Sequence, residues 1–102
     1  MERLVVDHQG EIAALCRKFR VRRLELFGSA ATGNFDPESS DLDFLVEFGD
    51  LRQDEWADAY FGLNESLETL LGRHVDLVMP TAVTNPYLRQ SIAASKTVVY
   101  AV

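Results

Sequence analysis

Apolar residues recur along this chain with two periods. Leu4, Val5, Ile12, Leu15, Cys16 and Phe19 fall at helical spacing, which predicts a helix over residues 4–19, weakened at Gly10. Residues 21–27 then alternate, with Leu24 and Leu26 on one face, and predict a first strand that ends at Gly28-Ser29. The stretch 30–40 carries Gly33, Asn34, Asp36, Pro37 and Ser39 and reads as a loop with room for one helical turn at its start. Residues 41–48 alternate again. Leu42, Phe44, Val46 and Phe48 share one face, and Asp41, Asp43, Leu45 and Glu47 share the other.

Trp56, Tyr60, Leu63, Leu67 and Leu70 step by four and three through residues 54–71. They predict an amphipathic helix whose stripe is core, with Gly72 as its C-terminal cap. A third strand, residues 75–79, puts Val75, Leu77 and Met79 on one face and Asp76 and Val78 on the other, and Pro80 stops it. Asn85-Pro86 is a cap followed by a first-turn proline, opening a helix that runs to about Ser95. Residues 97–100 make a short last strand. The order α, β, β, α, β, α, β predicts an α/β (α+β) chain: a small mixed sheet with helices packed on one face.

Composition narrows the function classes. The chain has 102 residues, 47% of them hydrophobic and 25% charged, which fits one folded domain spanning residues 1–102. Sixteen acidic against ten basic residues leave a net charge of −6. A dedicated nucleic-acid binder carries the opposite balance, so no sequence-specific contact with DNA or RNA is expected. Cys16 is the sole cysteine, which excludes a disulfide framework and a cysteine zinc site. No apolar run approaches the roughly 20 residues of a membrane span. No basic-then-apolar leader opens the chain either. The expected compartment is the cytoplasm.

Among the acids, Asp41 and Asp43 stand apart. Two positions apart on a strand, they point the same way with backbones about 6.5–7 Å apart, and such like charges repel unless a cation lies between them. Burial of the Leu42/Phe44/Val46 face pins their register. Asp76 follows the same parity on the third strand. If the two strands are neighbours, three carboxylates converge, and hard oxygen ligands suit Mg²⁺ or Mn²⁺, ions that also bind phosphate oxygens. An Asp-x-Asp by itself is a weak signal and fits the solvated outer face of a strand better than a metal site. Gly28-Ser29 at the end of the first strand adds a third feature: a glycine that lets phosphate approach the backbone, and a serine with an N–H and a hydroxyl. Alone it is an ordinary strand-end turn. Together the three describe a phosphate cradle facing a metal site. The remaining polar residues have plainer readings: His8 as a packed histidine, His74 as a turn residue, and Arg17, Lys18, Arg20, Arg22 and Arg23 as charges that complement a helix C-terminus.

Leu26-Phe27-Gly28-Ser29 followed by Ser40-Asp41-Leu42-Asp43-Phe44-Leu45-Val46 resembles the Gly-Ser…Asp-x-Asp signature of the DNA polymerase β-like nucleotidyltransferase superfamily. The short stand-alone form is the minimal nucleotidyltransferase (MNT) family. Val75-Asp76-Leu77-Val78 and Asn85-Pro86-Tyr87-Leu88 also resemble family segments, so the likeness spans nearly the whole chain. The resemblance implies the polymerase β-like fold, with Gly28 and Ser29 holding the terminal phosphates of ATP. It implies that Asp41, Asp43 and Asp76 bind two Mg²⁺ ions and act in catalysis, Asp76 also helping to activate the acceptor hydroxyl.

Two departures stand out. Eleven residues separate Ser29 from Asp41, one more than the commonest spacer. Many relatives carry arginine shortly after Gly-Ser, where this chain has Ala30-Ala31-Thr32, and a missing cation there weakens triphosphate binding.

The chain is almost all catalytic core, so a partner is expected to supply the acceptor. MNT proteins are typically paired with a HEPN-domain RNase. The resemblance therefore implies an antitoxin of a HEPN/MNT toxin–antitoxin module, which transfers AMP from ATP to a tyrosine of the toxin and blocks it with charge and bulk. Three alternatives stay open at this level. One is a catalytically silent antitoxin that works by contact alone, another an adenylyltransferase for a small hydroxylated compound such as an aminoglycoside. The third is a nuclease built on the same carboxylates, against which the Gly-Ser turn argues.

Overall fold

The computed structural model describes residues 2–33, 36 and 41–102. Ser40 of the Gly-Ser…Asp-x-Asp pattern, and most of the second half of the 30–40 loop, lie outside the described residues. The described residues form, in chain order, α1 (Arg3–Asp7), α2 (Gln9–Lys18), β1 (Val21–Phe27), α3 (Ser29–Thr32), β2 (Leu42–Phe48), α4 (Gln53–Leu71), β3 (Val75–Val78), a 3-10 turn (Pro80–Ala82), α5 (Pro86–Ser95) and β4 (Thr97–Ala101). The sheet order is β3-β2-β1-β4. β1 is antiparallel to both β2 and β4, and β2 is parallel to β3, so the sheet is mixed as expected.

Strand parity builds the main core. Leu24 and Leu26 of β1, Leu42, Phe44 and Val46 of β2, and Val75 and Leu77 of β3 face Val5, Ile12 and Cys16 of the first two helices and Leu63, Leu67 and Leu71 of α4. Burial inside this core pushes the Cys16 thiol up to about 12, so it stays protonated. The α/β architecture is the expected one. The packing of helices on one face holds for α1, α2 and α4 but not for α5. Phe27 and Leu45 point to the opposite face, and Ile92 of α5 and Val83 cover them. The apolar pair on that face needed a cover, and α5 is the element that provides it.

Two other details depart from the periodicity. The predicted helix 4–19 breaks at His8 rather than weakening at Gly10. The His8 ring Nδ1–H donates to the Leu4 carbonyl at 2.8 Å, while the backbone N–H of His8 turns to Val5 O at 3.2 Å. The side chain thus takes the carbonyl that the next helical turn would use. On α4 the buried line is Ala59, Leu63, Leu67 and Leu71. Trp56 is 39% exposed and stacks on Tyr60 with ring centroids 5.5 Å apart. The Tyr60 hydroxyl donates to the Leu77 carbonyl. Trp56 therefore rims the core instead of filling it.

The ends of the helices follow the sequence signals. Gly72 caps α4, its N–H donating to Glu68 O at 2.9 Å. The Asn85 side chain accepts from the N–H groups of Tyr87 (2.8 Å) and Leu88 (3.4 Å) at the start of α5. Among the residues of α5 only Ile92 is buried. The cap is therefore a large part of what holds this helix, and Asn85→Ala should cost about 1 kcal/mol in urea-melt stability. An unchanged midpoint would show that the cap contributes nothing. Among the described residues, no helix is long and apolar enough to cross a membrane.

Candidate active site

The end of β1 and the starts of β2 and β3 share one edge of the sheet, because β2 runs back against β1 while β3 runs alongside β2. In register, Phe27 lies beside Asp43, and Asp43 lies beside Asp76. The pairing of β2 with β3 is prolonged by the Leu42 N–H, which donates to His74 O at 3.1 Å, so Asp41 enters β2 next to His74. Asp43 is half-buried; Asp41 and Asp76 are exposed. The three carboxylates predicted to converge are thus neighbours, with Asp43 in the middle.

Their electrostatics agree. The Asp43 carboxyl is pushed up to about 6, first by burial, then by the negative charges of Asp76 and Asp41, with His74 pulling the other way. His74 itself pairs with Glu68, Nδ1 to Oε2 at 3.0 Å. His74 read as a plain turn residue in the sequence. Only the parallel register of β2 and β3, which local periodicity does not carry, brings it to the carboxylates.

The Gly28-Ser29 turn abuts the same group. Gly28 has φ +74° and ψ −151°, a region essentially reserved for glycine. A Cβ built on it would fall 2.7 Å from Asp43 Oδ2. The turn and the central carboxylate are therefore in direct contact, a cradle that any side chain at residue 28 would fill. The Gly28 carbonyl accepts the Ala31 N–H at 3.1 Å and the Thr32 hydroxyl at 3.3 Å. Its own N–H is engaged by Ser95 Oγ at 3.2 Å. Ser29 is half-buried and begins α3. Ala30 is fully buried, with its carbonyl accepting from Glu2 N–H at 2.8 Å.

Two polar features of this region have no clear sequence signal. One is Ser95. The other is Glu25, only 4% exposed in β1, ion-paired to Arg23 Nε at 3.3 Å and to Lys96 Nζ at 3.8 Å. By contrast, the basic cluster around Arg20 lies at the far end of β1 from Gly28. Arg20 there pairs with Glu55 at 3.4 Å.

The donor set fits a hard divalent cation. It offers carboxylate oxygens alone, and the repulsion from Asp76 and Asp41, which adds to burial in raising the Asp43 pKa, is what a cation relieves. Among the described residues, no three His, Cys, Asp or Glu side chains already stand as a closed set of ligands. The exposed Asp41 and Asp76 side chains have to turn toward Asp43 to complete one. A cation held there, facing a backbone turn open to phosphate, suits chemistry on a polyphosphate.

Comparison with known proteins follows the same line. The nucleotidyltransferase domain family matches residues 12–99. The protein adenylyltransferase MntA of Thermococcus cleftensis is 35% identical over 83 residues, covering 81% of this chain and 77% of its own. A solved structure of a provisionally named minimal nucleotidyltransferase is 31% identical, with a TM-score of 0.76 and 95% of each chain covered. A crystal structure of a toxin–antitoxin with AMP-PNP contains a chain that is 25% identical, with a TM-score of 0.69, covering 92% of this chain and 73% of that one.

Proposed function

The chain belongs to the nucleotidyltransferase domain family, and from that premise we propose that it transfers AMP from ATP, with Mg²⁺, to a tyrosine hydroxyl of a HEPN-domain RNase toxin and so serves as that toxin's antitoxin. The observation that carries this reading is the contact of the Gly28 turn with Asp43, while Asp76 lies in register on the other side of the same carboxylate. AMP as the transferred group is supported by the adenylyltransferase name of the Thermococcus cleftensis relative and by the AMP-PNP in the similar toxin–antitoxin structure. The HEPN identity of the toxin rests on the MNT resemblance of the Gly-Ser and Asp-x-Asp motifs.

In this reading Ser29, at the Gly28 turn, grips the terminal phosphates, and Asp41, Asp43 and Asp76 hold the metal. Two Mg²⁺ ions, when bound, supply positive charge that stabilises the developing negative charge on the reacting phosphate. Asp76, exposed at the edge, takes the proton of the acceptor hydroxyl. The acceptor oxygen bonds to the α-phosphorus, the bridging bond to the β-phosphate breaks, and pyrophosphate leaves. The gain comes from positioning and charge rather than from a covalent enzyme intermediate.

The test is to incubate the protein with its toxin, Mg²⁺ and ATP labelled at the α-phosphate. Label on a toxin tyrosine is the expected result. Label appearing on no partner residue overturns the enzyme reading. One observation favours a second reading, neutralisation by contact alone: buried Ala30 stands where many relatives have a nearby cation. Substituting both Asp41 and Asp43 with Asn separates the two. Transfer predicts that the toxin regains activity in cells, whereas contact alone predicts that it stays neutralised.

A further inference from the structure

Ser95 closes α5, lies 67 residues from Gly28 in sequence and touches it in space. We propose that Ser95 is a positioning residue for the nucleotide site. Its hydroxyl fixes the Gly28 peptide, and with it the spacing between the phosphate-holding turn and Asp43, so that the docking of α5 and the grip on the nucleotide are coupled. The role as stated rests on the nucleotidyl-transfer reading, whereas the tether itself does not.

Three observations converge on it. First, the Gly28 backbone sits in a sparsely populated region, and such a conformation persists only where its surroundings hold it. The carbonyl side is held from within α3, by Ala31 and Thr32. The amide side is held from α5, by Ser95 Oγ at 3.2 Å. Second, the direction of both Ser95 bonds is fixed. A hydroxyl has one proton, and this one goes to Ser91 O at 2.9 Å. A lone pair of the same oxygen receives the Gly28 N–H. Third, Gly28 has no slack against Asp43, since the space a Cβ would take is 2.7 Å from the carboxylate. A shift of the Gly28 peptide therefore changes the wall of the carboxylate site.

The coupling reaches the body of α5. Ile92, one turn before Ser95, packs with Phe27 and Leu45 on the outer face of the sheet. Phe27 directly precedes Gly28, so α5 grips the turn both through its apolar contact and through its last hydroxyl. The Gly28 N–H is thereby committed to the protein, and contact with phosphate falls to Ser29.

The experiment compares wild type, Ser95→Ala and Ser95→Thr, the last keeping the hydroxyl. Hydrogen exchange of the Gly28 amide, followed by NMR, reads the tether without any need for activity. In Ser95→Ala it should quicken about fivefold, and the Kd and KM for ATP with Mg²⁺ should rise about fivefold with kcat within twofold. Ser95→Thr should return all of them to within twofold of wild type. Unchanged Gly28 exchange in Ser95→Ala, or Ser95→Thr as impaired as Ser95→Ala, overturns the proposal while leaving the transfer reading intact. Exchange that quickens in a protein whose wild type binds no ATP brings down the transfer reading, and the positioning role with it. A Ser95→Ala variant with raised KM and unaltered melting temperature supports positioning over a merely structural part.

Discussion

Asp43→Asn should lower AMP transfer on the order of 1000-fold and, in the same protein freed of divalent cations, raise the melting temperature at pH 7.5. The first effect follows from position. Asp43 is the middle carboxylate, in register with Asp76 and in contact with the Gly28 turn. An asparagine keeps the shape but removes the charge that a divalent cation needs, and losing one well-placed electrostatic group costs about 4 kcal/mol of barrier at that factor. The second effect follows from the raised pKa. Asp43 ionises near 3.8 when unfolded and at about 6 in the folded chain. The folded state therefore binds the proton more tightly, and stability falls as pH rises through that window. Above it the wild type carries an ionised, partly desolvated carboxylate beside two others. Asparagine removes that penalty. A gain of about 4 °C is expected, the shift that roughly 1 kcal/mol makes in a chain of this size; partial solvation of the carboxylate keeps it well below the full value of the pKa displacement. At pH 3, below the unfolded value, both states hold the proton and the gain should vanish. Thermal melts at the two pH values, read against the transfer assay, check both halves. A variant less stable than wild type at pH 7.5 would show that Asp43 makes favourable contacts outweighing its repulsion.

Much of this site was legible before any coordinates, and for a simple reason. Parity along a strand is local, so Leu42, Phe44 and Val46 by themselves determine which way Asp41 and Asp43 point, and Val75 and Leu77 do the same for Asp76. What parity leaves open is which strands are neighbours. The parallel pairing of β2 with β3, joined through the 19 residues of α4, is a non-local choice, and His74 reaches the carboxylates only through it. α5 was legible as a helix from Asn85-Pro86, yet its side of the sheet was not. With Ile92 its one buried residue, it has no stripe to orient it, and Phe27 and Leu45 decide the matter from the sheet. Ser95 left no trace at all, since a serine near a helix end is compatible with solvent. The error at Trp56 has another origin. Leu63 and Leu67 belong to both candidate stripes of α4, and the line that is buried continues to Ala59 rather than to Trp56. A small residue weighs little in an amphipathicity argument even where it is buried.

Gly28→Ala isolates the contact on which the whole arrangement turns, because Gly33 supplies a matched comparison. Both glycines have positive φ, +74° at Gly28 and +84° at Gly33. Among the described residues a Cβ at Gly33 meets nothing within 4 Å, whereas one at Gly28 meets Asp43 Oδ2 at 2.7 Å. Gly33→Ala should therefore cost about 1 kcal/mol of backbone strain and leave transfer within a few-fold of wild type. Gly28→Ala carries a larger strain, about 2 kcal/mol, because its ψ of −151° takes it out of the left-handed helical region. It must also turn the Asp43 carboxylate aside, and a misplacement of about 1 Å at a reacting centre costs on the order of 100-fold. Urea melts measure the first quantity and labelled-AMP transfer the second. The two variants should differ modestly in stability and widely in transfer. Equal transfer by both would mean that the Gly28 turn and Asp43 touch without working together.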